Sequence, residues 1–161
     1  MTSDPIVLAE GETLVANGEE LVYRQVTQHM LTEDGQLGSP AFSPSTSDAG
    51  KLSLTRSSLV SAQDARDWHT RNARSKSLGV RGVTVTEVGL AERVVIDDSG
   101  VALTEGEKRS PGHCYVDFAG LDKTGRKNVA AILLRFANAR GEINTTETTE
   151  DGELFPLEQA S

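Results

Sequence analysis

The sequence predicts an α+β domain, with a mixed or antiparallel sheet of five or six strands and two helices packed on one face. Three observations carry that expectation. Short segments rich in Val, Ile, Leu and Tyr alternate apolar with polar residues at strand period. Two longer segments repeat their apolar residues at spacings of three and four. The order of these pieces also lacks the β-α-β-α rhythm of a parallel sheet. The domain is expected over residues 19–141, between a loosely ordered acidic arm at 1–18 and a flexible acidic tail at 142–161.

Within the arm, "PIVLAEGETLV" has the makings of a short β-arm. The first full strand is "ELVYRQV", Glu20 to Val26, with Leu21, Tyr23 and Gln25 on one face and Val22, Arg24 and Val26 on the other. Residues 32–50 form a connector rich in Gly, Ser, Pro and Asp, where Asp34-Gly35 marks a turn and Phe42 pins the segment to the core. "KLSLTR", 51–56, is the next strand. A helix follows from Ser61, which caps it, with Asp64 three residues on. Its inward stripe reads Ala62, Ala65, Trp68 and Asn72, making Trp68 a core anchor, and Gly79 stops it. Residues 80–96 read as two strands broken near Gly89, and 97–100 as a turn. The last strand runs from His113 to Phe118. Thr124 then caps a helix lined by Val129, Ile132, Leu133, Phe136 and Ala137, with Gly141 as its stop.

Charge narrows the partners. The formal net charge is −8, from 24 acidic and 16 basic residues. That balance repels phosphate backbones and disfavours nucleic acid. Setting aside residues 1–20 and 142–161 leaves 13 acids against all 16 bases, so the middle is mildly basic and nucleic acid stays open on charge alone. No apolar run reaches the roughly 20 residues that cross a bilayer. The N-terminus lacks the basic and apolar regions of a secretory signal, so a soluble cytoplasmic protein is expected, with no membrane partner. One cysteine makes no internal disulfide, and no C-x-x-C or H-x-x-x-H spacing calls for zinc, so no cofactor or metal is implied.

The stretch "RSPGHCYVDF", 109–118, places Cys114 directly after His113. Neighbours in a strand point to opposite faces, so the two do not form a nucleophile–base pair. Cys114, Val116 and Phe118 share an apolar row. His113, Tyr115 and Asp117 share the other, which is either a solvated face or a titratable row in which the carboxylate orients the imidazole. Arg24, flanked by apolar residues, either pairs with a carboxylate or faces an anion, and Ser53 holds a similar place in the next strand. The candidate catalytic set is Arg24, Ser53, His113 and Asp117. His69 falls at the edge of the buried helix face, and His29 at a strand exit.

The succession "LVYRQV", "PAFSPSTSDAGKLSLTRSSLVSAQDA", "GVRGVTVTEV" and "PGHCYVDFAGL" resembles a group of small uncharacterised bacterial proteins, over roughly residues 19–140. Members run from a YRQ strand through an F-x-P…LS segment to a P-x-H…DF strand. The resemblance implies a bacterial, cytoplasmic protein and imports no activity. A fainter similarity is to ADP-ribosyltransferase-like and RES-type toxin domains, in which Arg24 and Ser53 would hold NAD. The chain departs from them by lacking a catalytic glutamate strand. The leading expectation is an accessory or binding protein that acts through a protein partner and is linked to a defence or toxin system. The rival is a nucleotide- or nucleic-acid-processing enzyme with a cleft around Arg24, Ser53 and His113.

Overall fold

The computed structural model describes residues 7–45 and 49–148. Six strands, β1 (Thr13–Leu14), β2 (Leu21–Val26), β3 (Lys51–Arg56), β4 (Gly79–Thr84), β5 (Val95–Asp97) and β6 (His113–Asp117), form one sheet. Every pairing is antiparallel, in the order β1-β5-β6-β3-β2-β4. Three helices accompany them: α1 (Ala62–Asn72), α2 (Val85–Leu90) and α3 (Lys123–Arg140). The connector before β3 is mostly loop, with two single 3₁₀ turns at Gln28–Met30 and Ser39–Phe42. The α+β class and the antiparallel sheet are those the periodicities predict.

The placement of the helices differs from expectation. Val22, Leu54, Val83 and Cys114 face a large cluster completed by Val129, Leu133 and Ala137 of α3, with Phe42 and Phe118 fully buried in it. Tyr23 and Val80 point the other way and meet Ala62 and Ala65 of α1. The two long helices therefore flank opposite faces of the sheet. Val22 and Tyr23 are sequence neighbours, and the pleat sends them to different cores.

Local signals account for the helix ends. The Ser61 side chain accepts from the Asp64 amide, as the sequence predicts, but α1 ends at Asn72 and Gly79 begins β4 instead of stopping a helix. Asp122, and not Thr124, caps α3, its Oδ1 accepting from the Gly125 amide at 2.7 Å. Gly141 closes that helix at φ 88°, in the left-handed region that favours glycine. Residues 85–90 are helical where a strand was expected. Thr84 and Glu87 form a reciprocal capping box, and this T-x-x-E spacing overrides the β-branched composition.

Both acidic ends touch the domain. Residues 13–14 pair with β5, Val15 is buried, and Glu12 accepts from the Tyr115 hydroxyl at 2.6 Å. At the other end Ile143 bridges to Val80, and the next residues ride along α1. Thr145 accepts from Arg66, Thr146 exchanges bonds with Gln63, and Thr148 donates to Asp67. The expectations for residues 1–6 and 149–161 fall outside the described residues.

One ion cluster ties three strands together. The Arg56 guanidinium donates to both Glu20 oxygens, at 3.0 and 2.8 Å, and to Asp97 at 2.7 Å. The carboxylates are almost wholly buried, with side-chain exposures of 3% and 7%. The bond from Arg56 holds Glu20 below the usual carboxylate range against the opposing effect of burial. Burial alone would raise Asp97, but bonds from Ser99 and Arg56 outweigh it and hold it low. Both groups then bind fewer protons folded than unfolded near their ordinary values of 4.5 and 3.8, so their stabilisation is full above that range and lost as pH falls through it. Arg56→Met should cost about 3–5 kcal/mol at neutral pH by stranding two buried carboxylates. Urea unfolding across the acid range should also show a shallower pH dependence in that variant.

Candidate functional site

β2 pairs with β4 along its whole length, yet meets β3 at only two positions, Val22↔Arg56 and Tyr23↔Thr55. Beyond them the strands part. Arg24 fills the gap at its level, donating from Nε to the Ala41 carbonyl at 2.6 Å and from Nη1 to the Ser53 carbonyl at 3.1 Å. These bonds replace part of the missing ladder and fasten the 3₁₀ turn at Ser39–Phe42 to the sheet. An arginine does this well because its planar fork reaches two acceptors at once.

A cleft of about 120 Å³ opens where the strands separate, roofed by α1. Gln25, Ser53 and Thr55 line it from the sheet, Trp68 and His69 from α1, and Ser110 and His113 from the approach to β6. Two of its polar atoms are buried without a hydrogen-bond partner, Gln25 Nε2 and His69 Nε2. The other end of the Gln25 amide is engaged, accepting from Ser77 Oγ at 2.7 Å, which fixes the orientation of the unsatisfied nitrogen. His69 is held below its ordinary value of 6.5, first by burial; a bond with the Ser75 backbone opposes this, and the Arg24 charge adds to it. At neutral pH it is an uncharged imidazole. Buried polar groups almost always find partners, so two orphans at one cleft are a positive signal for something that completes them.

Arg24, Ser53 and His113 thus line a single cleft, and Asp117 does not. Four residues along β6 from His113, about 13 Å at strand rise, Asp117 sits opposite Lys51, and its Oδ1 accepts from the Ala119 amide. The carboxylate that meets His113 is Asp98, whose Oδ1 lies 2.7 Å from Nδ1, both side chains being largely buried. Strand pairing delivers this partner: β5 lies beside β6 with Asp97 opposite Cys114, bringing the following turn to the imidazole. The row of His113 and Tyr115 is not a solvated face, because the N-terminal arm covers Tyr115 through Glu12.

Cys114 points into the large core with no exposure, and burial pushes its thiol far above the ordinary range. It behaves as a small apolar side chain. Trp68 is half-buried and lines the cleft where a core anchor was expected, and Asn72 is exposed. The buried position next to Ala65 belongs to Arg66, whose guanidinium reaches the Ser77 carbonyl and Thr145. Gln25 and Asp98 were not among the candidate residues. Gln25 shares the alternation of Tyr23, a visible signal, whereas Asp98 comes to His113 only through the pairing of β5 with β6.

Among the described residues no group of three or more His, Cys, Asp or Glu side chains is placed to hold a metal ion. No helix among them is long and apolar enough to cross a membrane. No protein-family model, curated protein or solved structure matches this chain.

Cys114 should resist a bulky thiol reagent in native buffer and react at the rate of global unfolding. Rapid stoichiometric labelling of the folded protein would show that β6 opens locally.

Proposed function

We propose that this is a small bacterial accessory protein that binds a protein partner and receives one of the partner's polar side chains in the cleft beneath α1. The pair of buried, unpartnered nitrogens carries the reading. The Gln25 amide nitrogen is a donor, the neutral His69 ring supplies a second polar contact, and Arg24 lends positive potential. An oxygen acceptor, a carboxylate or carboxamide, answers that set. Size favours the same occupant. About 120 Å³ suits one side-chain head group, whereas sites for whole small molecules run to about 300–1,000 Å³. A dinucleotide exceeds it. The cytoplasmic setting belongs to this proposal through the bacterial resemblance, and the link to a defence or toxin system is a further part of the proposal.

A second reading, an enzyme, has one specific observation in its favour. Asp98 orients the His113 imidazole at 2.7 Å beside the Ser53 strand, the arrangement a general base uses. On that reading His113→Ala folds normally and loses turnover.

The discriminating variant is His69→Leu, which removes the unsatisfied Nε2 together with the ring's bond to the Ser75 backbone, opposing effects that should leave stability within about 1 kcal/mol of the unaltered protein. It should also abolish capture of the specific protein companion that the unaltered protein retains from host cells, as read by mass spectrometry of the eluate. Retention of the same companion by the variant would remove the cleft from recognition. Co-purified nucleotide would favour the enzyme.

A further inference from the structure

We propose, resting on the partner-binding role above, that the cleft beneath α1 selects a primary carboxamide, the head group of an asparagine or glutamine side chain on the partner, and rejects a carboxylate. The two unpartnered nitrogens that mark the cleft are not alike.

Gln25 Nε2 is a donor. The Ser77 hydroxyl approaches Gln25 Oε1 at 2.7 Å and the Gly79 carbonyl at 3.0 Å, and the shorter contact directs its proton to the Gln25 oxygen. The other end of that amide then presents its N–H groups without a protein partner. His69 Nε2 is an acceptor. The ring's bond to the Ser75 backbone favours a protonated ring nitrogen, so the imidazole donates and the Ser75 carbonyl accepts. Because Nε2 has no partner, Nδ1 makes that bond and holds the proton. A neutral imidazole carries a single N–H, which leaves Nε2 with a bare lone pair.

The sheet wall thus asks for an acceptor and the α1 wall for a donor. A carboxylate answers only the first, and sets its own lone pairs against the one on Nε2. An ammonium answers only the second and meets the charge of Arg24, which already disfavours a cation at His69. A hydroxyl has both functions on one oxygen, which must then span both walls alone. A primary carboxamide carries its C=O and its N–H groups on one carbon, facing different ways, and meets the two walls together. Met30, Leu54 and Ala65 add the carbon lining that suits a methylene stem.

The full chain with isotope-labelled histidine can be titrated with two probes, N-acetyl-glutamine methylamide and its glutamate counterpart. At about pH 8 the glutamate is ionised and His69 neutral. Nitrogen NMR of the free protein should show His69 protonated at Nδ1 alone. The glutamine probe should shift the Nε2 resonance and saturate at about millimolar concentration. The glutamate probe should bind at least about tenfold more weakly, the worth of one hydrogen bond. Gln25→Leu, which removes the donor, should weaken the glutamine probe about tenfold and leave the His69 tautomer unchanged. A ring protonated at Nε2, a glutamate probe that binds as tightly, or no shift with either probe (resident water only) would each overturn the proposal. Free glutamine binding more tightly than the blocked form would also overturn it, since the occupant would then be a small molecule. Failure of the partner-binding role reads differently: His69→Leu keeps its companion while the glutamine probe still saturates the unaltered protein.

Discussion

The pairing of β3 with β6 sets the geometry of everything else. Five consecutive cross-strand positions, from Lys51↔Asp117 to Thr55↔His113, lock the parity of both strands. Slipping the register by one residue would move Cys114 and Val116 out of the core and His113 into it. Because Leu52 and Leu54 share the face of Val116 and Cys114, burying one strand correctly buries the other. The imidazole is thereby committed to the α1 side and the thiol to the α3 side, and no rearrangement short of unfolding β6 brings them together.

The cleft depends on a ladder that stops early. Had β2 and β3 paired throughout, Gln25 would face another strand across closed sheet. Instead Arg24 spans the opening with bonds to two main-chain carbonyls, so the separation is held open at modest cost. Stability is concentrated nearby, where the Glu20–Arg56–Asp97 cluster closes the other end of the same strands. Firm fastening at one end and parting at the other give a frame around a small polar opening.

Much of this architecture is legible in the residues. The alternation of "ELVYRQV" and "KLSLTR", the Ser61 cap and the apolar stripe of α3 are local, and local physics resolved them. The failures share a cause. Val85–Leu90 has strand composition but a helix start signal at Thr84 and Glu87, and the cap prevailed because it satisfies backbone amides that composition leaves open. The three-and-four spacing from Ala62 and Ala65 points Trp68 to the interior, while Arg66 occupies the buried turn because the Ser77 carbonyl and Thr145 accept from its guanidinium. Three of the four candidate site residues gather at one cleft, whereas Asp117 yields to Asp98, a partner supplied by a strand distant in sequence. Pairing order decided that point, and no window of neighbouring residues contains it.

The sheet's two margins constrain how any other macromolecule engages it. On one side the outermost strand is only the pair Thr13–Leu14. On the other, β4 already receives Ile143 at Val80. Among the described residues one rim is thus two residues long and the other is interrupted by Ile143 at Val80 and by Arg140 at the Gly82 carbonyl, which makes both poor templates for a further strand. Such blunted borders also disfavour stacking edge to edge into fibres.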